Sequence, residues 1–204
     1  MAKTLLLTGQ KKVGKTTAVR NIVARLGEEH FAGFYATERR AEGKRAGFGI
    51  AMLDGREGTL ASVESESHLR VGRVIDGRVK YGVELDFLEN VAIPAVRDAL
   101  SHSGKNQIVV IDEIGPMQLY SQAFRQLVLD ALNGERIILG TVMSLSDPWV
   151  DELKDRSDVE TFLLTMQNRE SMTDMMSMYL AREVGIPERE YADSPRLRTS
   201  LAPM

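Results

Sequence analysis

The stretch TLLLTGQKKVGKTT, Thr4 to Thr17, constrains this chain more than any other. TLLLT is a short apolar run ending in glycine, which reads as a buried strand. Behind it, TTAVRNIVARLG places Val19, Ile22, Val23 and Leu26 at i, i+3, i+4 and i+7, one apolar face of a helix that Gly27 closes. Between the two, Gly9-x-x-x-x-Gly14-Lys15-Thr16 matches the phosphate-loop pattern. The glycines let backbone amides come close to oxygens, and amides turned inward make a nest for an anion. The following helix aims its positive end at the same point. The run Gly9, Gln10, Lys11, Lys12, Val13, Gly14, Lys15, Thr16, Thr17 is therefore expected to hold a nucleotide. Lys15 reaches the β- and γ-phosphates, the Thr16 hydroxyl binds Mg²⁺, and Thr17 adds a contact to the α-phosphate. Lys11 and Lys12 either raise the local potential or are plain surface lysines.

Strand and helix patterns alternate through most of the rest. FAGFYAT (31–37) and NQIVVIDEIG (106–115) read as strands, the second apolar without alternation, as expected when both faces are covered. ERRAEGKRAGF after the first of these reads as a loop. Asp54-Gly55 and Asp76-Gly77 are hairpin signals, so 47–81 is taken as a small antiparallel insertion. ELDFLENVAIPAVRDAL reads as a helix that Pro94 kinks. SQAFRQLVLDALNG, DPWVDELKD with Asp147 as N-cap, and NRESMTDMMSMYLAREVG read as helices. RIILGTV and VETFLLT read as strands. Such alternation gives an α/β fold, a mostly parallel sheet with helices on both faces. One domain is expected over 1–190, with an irregular tail over 191–204.

The apolar strand IVVIDEIG ends in Asp112 and Glu113. A carboxylate at the end of a neighbouring strand is what a phosphate loop needs to hold Mg²⁺ through water, and Asp112 fits that role. Glu113, one residue on, suits a base that orients and deprotonates an attacking water. The alternatives are a kinase that gives the phosphoryl group to a small molecule or nucleotide, or a nucleotide-dependent switch.

The formal net charge of −3 disfavours wholesale nucleic-acid binding. Without a cysteine, disulfides and thiolate chemistry are excluded. His30, His68 and His102 have no metal-ligand spacing. Met172, Met175, Met176 and Met178 on one helix read as packing or a flexible contact face. No apolar stretch approaches a membrane span, and the start is too short for a secretory signal, so a cytoplasmic protein without a membrane or an identifiable protein partner is expected.

The blocks GQKKVGKTT, GFYATERRAEGKRAGF, VGRV to YGVEL, IDEIGPMQLYSQAF, IILGTV and DRSDVETFLLTMQNRE come in the order of a known family. From about Thr4 to Met172 the chain resembles the small nucleoside-triphosphatase family of thermophiles, which includes the cancer-related nucleoside-triphosphatase. The resemblance implies a RecA-like P-loop fold and slow Mg²⁺-dependent hydrolysis of several nucleoside triphosphates. It puts the nucleotide segment on Gly9 to Thr16 and the acidic segment on Ile108 to Gly115. Where the family commonly has Lys-Met-Glu, this chain has Pro116, Met117 and Gln118, which implies altered turnover or selectivity. The chain is also short around Met143 to Asp147.

Phosphoryl transfer needs positive charge on the γ-phosphoryl group. The resemblance places an arginine at Arg39 or Arg40, and Arg40 and Arg45 are the expected catalytic cations. Asn168 and Arg169, after the last strand, suit a nucleobase, Asn168 by hydrogen bonding and Arg169 by stacking. Asn168 equally suits a helix N-cap, with Glu170 in the first turn. With no Asn-Lys-x-Asp motif, no guanine-specific reader is expected.

Overall fold

The computed structural model describes residues 3–75, 77–101 and 108–187, with the side chains of Ile75 and Arg78 left aside. Its strands are β1 (Thr4–Thr8), β2 (Phe31–Ala41), β3 (Lys44–Met52), β4 (Glu57–Ser62), β5 (Arg70–Ile75), β6 (Arg78–Val83), β7 (Ile108–Ile114), β8 (Ile137–Val142) and β9 (Val159–Leu163). The helices are α1 (Lys15–Leu26), α2 (Ile93–Ser101), α3 (Gln122–Asn133), α4 (Pro148–Lys154) and α5 (Arg169–Val184). His102, Asp76 and the tail over 191–204 lie outside the described residues.

All the strands join one mixed sheet in the order β5-β6-β4-β3-β2-β7-β8-β1-β9. Neighbours from β2 through β9 pair parallel, and the ladders from β2 through β5 are antiparallel. Leu5 and Leu7 of β1 pack on the α1 and α5 side, whereas Leu6 packs on the α2, α3 and α4 side. A strand covered on both faces needs apolar residues at every position, which is why TLLLT has no alternation.

The antiparallel part begins at Lys44, earlier than 47, and is continuous with the rest. Leu60, Ala61, Tyr81 and Val83 share a core cluster with Val109, Ile111 and Phe124. The segment expected as a loop, ERRAEGKRAGF, is instead the end of β2 and the start of β3, turning at Glu42 and Gly43. It looks like a loop because its polar residues stand beyond the core, where nothing demands apolar alternation.

Before Pro94 the expected kink takes the form of a π turn over Leu88–Ala92. Proline has no N–H for the preceding turn, and a wider turn absorbs the missing bond. Asp147 caps α4 as expected, accepting from the Trp149 and Val150 amides. Asn168 sits at the N-cap position of α5, but its side chain makes no cap bond.

Candidate functional site

The glycine-rich loop leaves β1 at the carboxyl edge of the sheet. Gly9 has φ +148° and Gly14 φ +105°, backbone that side chains rarely adopt. An added Cβ at Gly9 would stand 2.5 Å from the Leu164 carbonyl oxygen, so the turn after β9 packs directly on the loop. Val13 anchors the loop in the α1-side core. Gln10, Lys11, Lys12 and Thr17 are exposed. The Ala18 amide bonds back to the Gly14 carbonyl at 2.8 Å. Helix α1 has no side-chain cap and no acidic residue in its first turn. Its leading amides and positive end are thus left for an outside anion.

Two strands away, the pairing of β7 with β8 shifts between Ile111 and Ile114. This bulge holds Asp112 and Glu113, whose connecting peptide is cis. A bulge turns side chains out of the ladder's alternation and is a common way to aim groups at a site. Asp112 is 0% exposed. Its Oδ1 accepts from the Thr141 hydroxyl at 2.5 Å, while its Oδ2 is buried with no partner among the described residues. Burial pushes its carboxyl up to about 6, against hydrogen bonding by Thr141 and Thr16 and with the Glu113 charge adding to the rise. Thr141 lies in the block IILGTV, but as a lone hydroxyl in an apolar strand it shows no role until the β7–β8 register brings it to Asp112.

Asp112 and Thr16 form an oxygen-only donor set, and the orphaned Oδ2 marks a place where a hard cation or its water would fit. Among the described residues, no group of three His, Cys, Asp or Glu side chains could hold a metal. Two protein oxygens need phosphate oxygens and water to complete a shell, the arrangement usual for Mg²⁺.

Lys15 Nζ donates to the Gly9 carbonyl at 3.3 Å and stands 3.6 Å from Glu113 Oε1. The Glu113 side chain also curls over Gly115, where an added Cβ would meet its Cγ and Cδ at 3.2 Å. The structure thus brings the loop, Lys15, Thr16, Asp112 and Glu113 together.

The arginines are distributed differently from expectation. In β2, Phe31 and Tyr35 pack on the α1 side and Phe34 on the other. Alternation then puts Arg39 on the α1 side and Glu38 and Arg40 on the far side. Glu38 binds Arg40 at 2.7 Å and accepts from Arg45 Nε at 2.6 Å. Arg40 and Arg45 are therefore strand residues clamped on the face turned from α1, not free loop cations. Arg39 donates to the Thr59 hydroxyl.

Arg169 begins α5 beside Gly14. Asn168 Oδ1 accepts from the Thr165 amide at 2.7 Å and its Nδ2 donates to the Leu163 carbonyl at 2.9 Å, so its amide ties the turn. Gln118 is fully buried with neither amide atom partnered among the described residues.

Comparison with known proteins supplies the family. A family model described as NTPase matches residues 4–176. The nucleoside-triphosphatase THEP1 of Thermotoga sp. (strain RQ2) is 38% identical over 82% of this chain and 90% of its own length. The human cancer-related nucleoside-triphosphatase is 38% identical over 83% and 92%. The crystal structure of THEP1 from Aquifex aeolicus superposes with a TM-score of 0.76 at 31% identity, covering 87% of this chain and 98% of that one. Sequence blocks, model match and structural likeness together place the chain in this NTPase family.

Proposed function

We propose that the protein is a RecA-like P-loop hydrolase that cleaves several nucleoside triphosphates to diphosphate and phosphate with Mg²⁺. The observation that carries this is the Glu113 carboxylate 3.6 Å from the Lys15 ammonium. The lysine of such a loop marks the terminal phosphate, so a carboxylate beside it is in place to act on water there.

In this reading the loop amides and the uncapped start of α1 bind the phosphate chain. Lys15 exchanges its contact with Glu113 for the β- and γ-phosphates. Mg²⁺, held by Thr16 and through water by Asp112, would neutralise phosphate oxygens when bound. Glu113 orients a water in line with the γ-phosphorus and takes its proton. The water oxygen bonds to phosphorus, the bond to the β-bridging oxygen breaks, and the diphosphate leaves. Of the arginines on the β2–β3 arm, Arg39 has the face from which to meet the γ-phosphoryl charge. Catalysis of this kind is positioning and charge stabilisation, with little covalent work for the protein.

No described helix is long and apolar enough to cross a membrane. We read the substrates as free cytoplasmic nucleotides. The test is phosphate release from ATP, GTP, CTP and UTP by the purified protein, with Mg²⁺ and with EDTA. Release of phosphate and diphosphate without any addition, abolished by EDTA, is expected. Release that needs an acceptor molecule would point to a kinase, and release that needs a protein partner to a switch.

A further inference from the structure

The sheet order gives the phosphate loop two unlike flanks. β1 has β8 and then β7 on one side and β9 on the other. Asp112 and Glu113 stand on the β7 flank, and Glu113 meets Lys15 there. On the hydrolase reading, the terminal phosphate therefore lies toward β7. The sugar and base, at the opposite end of the phosphate chain, leave toward β9.

What stands on that side is a turn fastened to the loop. The Leu164 amide bonds to the Thr8 carbonyl at 2.8 Å, and the Leu164 carbonyl abuts Gly9. Asn168 closes the turn with both ends of its amide. Arg169 then lies across Gly14: a Cβ added to Gly14 would stand 3.1 Å from Arg169 Cδ and 3.2 Å from its Nη1. Met166 on the same turn is 63% exposed, so its thioether is open to a ligand.

We propose that Arg169, with Met166 of the preceding turn, is the platform on which the nucleobase stacks, so that the protein reads the face of the base and not its edge. This rests on the hydrolase reading for the direction in which the triphosphate lies. A planar guanidinium and a polarisable thioether both suit the π-face of any base. Asn168, the amide at the start of α5, is committed to the backbone of the turn and so serves as its brace.

The experiment compares wild type, Arg169→Ala, Arg169→Lys and Met166→Ser for binding of ATP, GTP, CTP and UTP by competition with a fluorescent nucleotide. Inorganic tripolyphosphate, which has the phosphates without a base, is run alongside. Arg169→Ala should weaken nucleotide binding about 3- to 30-fold, purines more than pyrimidines, with tripolyphosphate affinity moving less than twofold. Arg169→Lys keeps the charge without the plane and should show most of the same loss. Equal weakening of tripolyphosphate would overturn the proposal by making Arg169 a phosphate contact. Unchanged binding of every ligand, or full rescue by lysine, would overturn it as well. Phosphate release by wild type is followed separately: its absence, with the base-dependent loss intact, would sink the hydrolase reading and leave the platform standing.

Discussion

Lys15 Nζ and Glu113 Oε1 face each other at 3.6 Å, with 12% and 26% of their side chains exposed. The ammonium that would hold a terminal phosphate and the carboxylate that would work on its attacking water neutralise one another across the mouth of the loop. In the proposed mechanism a triphosphate offers the lysine a stronger partner, and its arrival would free the glutamate to act on water.

Glu113→Gln should therefore lower phosphate release about 10²-fold or more while keeping nucleotide affinity. Lys15→Ala should weaken both. Phosphate release and fluorescent-nucleotide anisotropy measure the two quantities on the same samples. Unchanged release in Glu113→Gln would remove Glu113 from the chemistry.

Asp112 links the site to stability. Burial raises its carboxyl from an ordinary value of 3.8 to about 6, so the folded chain favours the protonated form. That stabilisation is fully present below the unfolded value and is lost as pH rises through about 6. The span between the two values corresponds to about 3 kcal/mol at 1.36 kcal/mol per pH unit. In metal-free buffer, Asp112→Asn should gain melting temperature over wild type as pH goes from 4 to 7, and lose the further rise that Mg²⁺ with nucleotide gives to wild type. A melting difference flat across that range would contradict the assignment.

The β2–β3 arm separates its arginines by face. Arg39→Ala should cut kcat about 10²-fold with KM little changed, in the range found for a lost charge-stabilising donor. Arg40→Ala and Arg45→Ala should leave kcat within about threefold, since both answer to Glu38 on the far face. Steady-state kinetics on the three variants decides, and a large kcat loss at Arg45 alone would show that the arm rearranges on binding.

Gly33 lies where β2 meets β7. A Cβ there would stand 2.1 Å from the Val110 carbonyl oxygen, at φ +118°. Gly33→Ala should cost about 3 kcal/mol or more, or give insoluble protein, because backbone must move in the middle of the sheet. Gly43→Ala, with open space around it and only φ +76° against it, should cost about 1 kcal/mol. Urea unfolding of the pair tests whether the close approach or the dihedral sets the loss.

The parallel half of the sheet was legible because burial on both faces leaves unbroken apolar runs, as in Leu5 to Leu7 and Ile108 to Ile111. The meeting of the loop Gly9–Thr16 with Asp112 and Glu113 was legible because a glycine-lysine loop after one strand and an acidic pair ending another are recognisable patterns. The arm from Glu38 to Gly47 was not, since strands beyond the core need no apolar pattern. Arg39 could be told from Arg40 only by following alternation from Phe34 and Tyr35, which requires knowing that the strand continues. The Thr141 contact depends on the β7–β8 register, and the brace role of Asn168 on its bonds to the Thr165 amide and the Leu163 carbonyl, which no residue spacing announces.

Among the described residues β1 pairs only with β8 and β9, whose residues follow it by more than a hundred positions. During synthesis the first strand therefore emerges long before either neighbour exists, and the glycine loop behind it has nothing to hold its shape. Such long-range closure is slow to form. The loop's residues are made more than a hundred residues before the strands that flank it, so a nascent or truncated protein lacking β8 and β9 has those residues without their grip.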